Sequence, residues 1–98
     1  MTEHKGQRRE EIEDLVDPGD WAFRGETIWI QLPATFGGAL NLPVIVRIPV
    51  SESGQTDREW SFDGNRDAPT LKPSIRSTGS WGTWHGWMTG GVLSGNME

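Results

Sequence analysis

Apolar and polar positions alternate with a period of two along most of the chain. The helical period shows only near the N-terminus. Ile28, Ile30 and Leu32 share one face of an extended segment, with Trp29 and Gln31 on the other. Val44, Val46, Ile48 and Val50 alternate with Ile45, Arg47 and Pro49, which predicts a strand over residues 42–50. Pro43 and Pro49 lack the amide hydrogen, so this strand belongs at a sheet edge, or the prolines at strand ends. Residues 58–62 read as a short strand with Trp60 and Phe62 on one side. Before residue 20, Ile12, Leu15 and Val16 fall on one helical face. An isolated helix of this length is marginal in water, so residues 1–18 are expected as a disordered arm or one short helix.

Turn chemistry divides these runs. Asp17-Pro18-Gly19-Asp20 closes the arm, Arg24-Gly25-Glu26 reads as a bulge or hairpin turn, and Asp63-Gly64-Asn65 as a turn. Residues 33–41 form a loop and Ser51 to Asp57 a polar connector. The proline-bearing segment 68–75 must be largely extended. The C-terminal segment is a hairpin. Gly90-Gly91 suits a type I′ turn, which sets Thr89 opposite Val92 and Met88 opposite Leu93. Trp84, Gly86 and Met88 then share one face, and His85, Trp87 and Thr89 the other. The expected fold is all-β, a mainly antiparallel small sandwich or partly open barrel over residues 19–98.

Ninety-eight residues make one domain, in which each large side chain matters to stability. Six Trp and three Phe with no Tyr supply the bulk. Trp29, Trp60 and Trp84 are expected in the core, and Trp81, in a Gly- and Ser-rich loop, is expected to be exposed. The absence of Cys excludes disulfides and thiolate metal sites. The polar N-terminal segment is neither a signal peptide nor a membrane anchor, so the cytosol is the expected compartment. The net charge of −5 is concentrated at the start, where residues 1–20 hold three basic against seven acidic side chains. No basic stripe exists, which argues against direct nucleic-acid binding. Dimerisation is a natural way for so small a chain to bury more apolar surface.

His85 is the obvious chemical candidate, with Asp63, Asp67 and Ser74 in a neighbouring motif to imitate a Ser-His-Asp arrangement. No nucleophile-elbow pattern surrounds Ser74, and the sequence reading favours a structural histidine that bonds a loop carbonyl and packs on Trp87. Only His4 and His85 are available to zinc. The run Asp63 to Asp67 echoes a calcium loop but lacks its terminal acidic ligand and carries Arg66. No metal and no cofactor are expected.

Three ordered elements carry a family resemblance: Trp60-Ser61-Phe62-Asp63-Gly64-Asn65, then Ala68-Pro69-Thr70-Leu71-Lys72-Pro73-Ser74-Ile75, then Trp84-His85-Gly86-Trp87-Met88-Thr89-Gly90-Gly91. The span resembles the DUF6527-type family of small uncharacterised phage and prophage proteins. That resemblance implies a viral origin and supplies no activity to transfer. The resulting expectation is a non-enzymatic phage protein that binds a protein partner in the host cytosol. One version is an inhibitor of a nucleic-acid-binding host defence complex such as a CRISPR effector. Glu10, Glu11, Glu13 and Asp14 would meet basic groups on that partner, with Trp81, His85 and Trp87 completing the surface. Two alternatives stand beside it: an enzyme or metal-binding module centred on His85, and a structural or assembly component of a virion.

Overall fold

The computed structural model describes residues 2–36, 42–52 and 59–98. Parts of the expected 33–41 loop, the 51–57 connector and the first residue of the 58–62 strand lie outside them. Among the described residues ten strands run in chain order: β1 (Thr2–Lys5), β2 (Arg8–Arg9), β3 (Trp21–Arg24), β4 (Thr27–Thr35), β5 (Pro43–Ser51), β6 (Trp60–Phe62), β7 (Leu71–Lys72), β8 (Ile75–Gly79), β9 (Gly82–Thr89) and β10 (Val92–Met97). They form two sheets, ordered β1-β10-β9-β8 and β2-β3-β4-β5-β6-β7. The fold is all-β with two stacked layers and no closed barrel.

The predicted alternation produces the core between the sheets. Ile28, Ile30 and Leu32 from β4 and Val44, Ile48 and Val50 from β5 face Ile75, Trp84, Met88 and Leu93 of the other sheet. Among the tryptophans, Trp84 and Trp21 are buried. Trp60 is partly buried against the cluster, and Trp29 lies outside it, opposite Ala22 and Arg47. Trp21 takes the place expected for Trp29, because β3 adds its own inward face beside β4. The C-terminal hairpin has the expected register, Thr89 opposite Val92 and Met88 opposite Leu93, with φ of 55° and 79° at Gly90 and Gly91. The Arg24-Gly25-Glu26 turn joins β3 to β4, and Gly25 has φ 61°.

The acidic N-terminal segment joins both layers. Thr2–Lys5 pairs antiparallel with β10, Arg8–Arg9 pairs parallel with β3, and Ile12–Asp14 forms one 3-10 turn. Asp20 ties this segment down. Its fully buried carboxylate accepts hydrogen bonds from the Gln7 amide at 2.9 Å, Arg9 Nε at 2.9 Å, the Asp17 amide at 3.1 Å and the Val16 amide at 3.3 Å. Burial by itself pushes this carboxyl up. The bonds from Gln7, Asp17, Arg9 and Val16 outweigh that effect and hold its pKa below the usual 3.8.

Because the folded pKa lies below the unfolded one, this stabilisation is complete above about pH 4 and is lost as the pH falls through the folded value. Asp20→Ala is therefore expected to cost about 3 kcal/mol in urea unfolding at neutral pH, since it strands several donors and the Arg9 charge. It should also flatten the acid limb of the stability profile. An acid limb unchanged in the variant would place the acid-labile carboxylate elsewhere.

Candidate active site

The pleat of β9 sends Trp84, Gly86 and Met88 into the core, so His85 and Trp87 stand on the outer face of the four-stranded sheet. His85 is about one-third exposed and Trp87 is exposed. Their ring centroids are 5.2 Å apart at an interplanar angle of 40°. Across the neighbouring strands, Arg76 of β8 and Asn96 of β10 lie directly opposite His85.

His85 Nδ1 lies 3.3 Å from Oε1 of Glu98. The other carboxylate oxygen of Glu98 accepts from Arg76 Nη2 at 3.1 Å and Nε at 3.4 Å. The Glu98 amide donates to the Thr83 carbonyl at 2.8 Å, which extends the β9–β10 ladder by one residue. Backbone and guanidinium together hold one carboxylate against one imidazole nitrogen. With Nδ1–H donating to Glu98, the lone pair of Nε2 is left to accept a proton, the arrangement a general base requires.

A hydroxyl that could give its proton to this base would have to lie near the ring. The β8–β9 register pairs Ile75 with Gly86 and Arg76 with His85, so Ser74 comes next, beside Trp87. Continued one residue beyond β8, the register would set Ser74 on the diagonal from His85 away from Glu98, where Cβ atoms of a regular sheet lie about 7–8 Å apart. Its main chain is fixed, because Trp60 Nε1 donates to the Ser74 carbonyl at 3.3 Å. The described contacts of the His85 ring are to Glu98 and Trp87, and none joins it to Ser74. Catalytic hydrogen bonds are often loose before substrate arrives. Ser94 flanks Trp87 from the other side, but β10 is paired on both edges, which leaves less room for a substrate than the open edge beside Ser74.

The expected partners of His85 are differently used. Asp63 Oδ1 accepts from the amides of Asn65 and Thr70 and caps the turn, while Asp67 pairs with Arg8 at 2.9 Å. The histidine meets a carboxylate and not the loop carbonyl expected from sequence. Glu98 went unnoticed there, although the hairpin register alone places it opposite Thr83, one diagonal step from His85. Among the described residues no group of His, Asp and Glu is arranged to hold a metal ion.

The other sequence candidates are dispersed. Glu10, Glu13 and Asp14 are exposed around the 3-10 turn that packs on β3, and Glu11 pairs with Arg24 at 3.5 Å. Trp81 is only half exposed: its indole covers Gly79 and packs on the core, which corrects the expectation of a free side chain. Of the seven, the structure joins His85 and Trp87.

A carboxylate-bound histidine on an outer sheet face, with a serine immediately before the strand paired to it, supplies parts that a serine hydrolase uses. The chain belongs to the bacterial ubiquitination-like system serine protease (BubE) family, whose model matches residues 41–94. The match includes Ser74 and His85 and ends before Glu98. No curated protein and no solved structure matches the chain. This membership corrects the DUF6527-type phage resemblance, and with it the viral origin, the host-defence inhibitor and the non-enzymatic reading. Among the described residues no helix is long and apolar enough to cross a membrane.

If the outer-face groups serve chemistry and not folding, removing them should leave stability nearly intact. Ser74→Ala, His85→Ala and Glu98→Gln are each expected within about 1 kcal/mol of the parent in urea unfolding. Trp84→Ala, one residue away and inward, should cost about 3–5 kcal/mol. A loss of that size on replacing His85 would make it a structural residue.

Proposed function

We propose that this chain is a serine protease of a bacterial ubiquitination-like system, with Ser74 as nucleophile, His85 as general base and Glu98 as the group that orients His85. The observation that carries this reading is the His85–Glu98 contact beside β8, the strand that Ser74 immediately precedes. Membership of the serine protease family supports it. The proposed setting is the cytosol, and the proposed substrate class is a polypeptide joined to, or containing, the system's ubiquitin-like protein.

The chemistry follows from the placement. Nε2 of His85 takes the hydroxyl proton as Ser74 Oγ bonds to the carbonyl carbon of the scissile amide. The carbonyl π electrons move to its oxygen, and the imidazolium so formed is stabilised by Glu98. On collapse the C–N bond breaks, and His85 returns the proton to the departing amine. Water then repeats the sequence on the acyl-serine ester, releasing a carboxylic acid and restoring Ser74. Arg76 acts through Glu98: it holds the carboxylate toward the ring and is a positioning residue.

Cleavage of a fusion between the system's ubiquitin-like protein and a reporter tests this reading. Ser74→Ala and His85→Ala are expected to lower kcat/KM by about 10²–10⁴-fold. Glu98→Gln should reduce kcat with KM little changed, because orientation of the base matters in the transition state and not in binding. Undiminished cleavage by Ser74→Ala would remove this serine from the mechanism.

A further inference from the structure

The second feature of this face is the open edge next to Ser74. Among the described residues β8 is the last strand of its sheet and pairs with β9 alone. The Thr83 carbonyl accepts from the Glu98 amide, so the main chain of Thr83 points toward β10. By alternation, Trp84 and Gly86 turn theirs toward β8, where their partners are Ser77 and Ile75. The amide and carbonyl of Arg76 and Thr78 therefore face outward at the free edge. The Ser74 carbonyl, turned to Trp60, fits the same alternation.

A second open edge faces this one. The Val50 amide donates to the Glu26 carbonyl at 2.9 Å, so Val50 and alternate residues of β5 point toward β4. Ile45, Arg47 and Pro49 point away from it, and Pro49 has no amide hydrogen to leave unpaired. Among the described residues β6 pairs with β5 from Val50 onward. The cleft between the two edges is lined by residues 45–48, Trp60, Ile75, Arg76 and Ser77. Arg47 at its margin is exposed and has no ion-pair partner among the described residues, whereas Arg76 is engaged by Glu98.

We infer that this cleft binds an extended, acidic segment of the substrate polypeptide, which adds as a strand to the free edge of β8 and delivers the scissile carbonyl to Ser74. The inference rests on the protease reading and names the conformation and charge of its substrate. Main-chain bonds to Arg76 and Thr78 give affinity without regard to side chain, as in other strand-addition sites. Arg47 adds the preference for an acidic residue, because a free guanidinium at the margin of the cleft attracts a carboxylate. Continuity with the site favours this occupant, since the edge that would hold the strand starts one residue after the nucleophile. The exposed edge is otherwise an aggregation risk that folded chains usually cover.

Thr78→Pro tests the claim with little harm to the fold, because it removes an amide that faces outward and proline is tolerated at such edge positions. Thr78→Ala keeps that amide and is the control. The probes are a set of fluorogenic octapeptides with Glu or Lys at one position at a time, and a small fluorophosphonate that reacts with activated serine without needing the cleft. Thr78→Pro should raise KM about tenfold, the worth of one or two main-chain hydrogen bonds, while Thr78→Ala and the fluorophosphonate rate stay within about twofold of the parent. Arg47→Glu should invert the preference from Glu- to Lys-bearing peptides. Peptide cleavage indifferent to both Thr78→Pro and Arg47→Glu overturns strand addition alone. Fluorophosphonate labelling of the parent with no octapeptide cleaved also overturns it. Failure of the parent to label or to cleave overturns the protease reading beneath it.

Discussion

The arrangement of the site depends on where one indole lies. Trp84 is fully buried and rests across two glycines of the hairpin: a Cβ on Gly86 would fall 2.5 Å from its Cη2, and one on Gly95 2.6 Å from its Cζ2. Only residues without side chains let a ring of that size lie flat against the sheet. Once Trp84 is committed to the interior, the period of two leaves no choice for its neighbours. His85 and Trp87 must face out, and a slip of one residue would bury the imidazole and expose the indole. The hydrophobic core thus determines which face of the sheet carries the polar groups.

The same hairpin determines which of those groups meet. Its two-glycine turn sets the register, and the register brings Glu98 beside the ring from one side while β8 brings Arg76 from the other. Asp20 supports this from a distance, anchoring the N-terminal segment that supplies β1 to the far edge of the sheet. Trp60 links the layers at the opposite edge by bonding the Ser74 carbonyl. The outer face holds exposed ion pairs worth little to stability, so its composition is free to answer to chemistry.

Much of the fold was legible in the sequence because burial writes itself as period two. The inward faces of β4 and β5 and the register of the last hairpin follow from β-branched alternation and paired glycines. Trp21 was harder, since its strand is short and follows an aspartate whose buried role depends on donors from Gln7, Arg9, Val16 and Asp17. The site was half legible. His85 and Trp87 stood out and Ser74 was weighed but set aside, while the carboxylate was sought in Asp63 and Asp67, which sit in a motif near Ser74 and serve a turn and a surface ion pair. Glu98 is 13 residues from His85, and only the strand pairing makes them neighbours. Groups brought together only by strand pairing give no compact spacing to recognise, so composition and charge pointed to a binding protein instead.

The most direct measurement is the identity of the residue that becomes covalently modified. The chain is treated with a fluorophosphonate, digested, and the adduct located by tandem mass spectrometry. The account predicts a single adduct on Ser74, formed far more slowly when His85 is replaced by alanine. An adduct on another serine, or one on Ser74 formed at the same rate without His85, would contradict it.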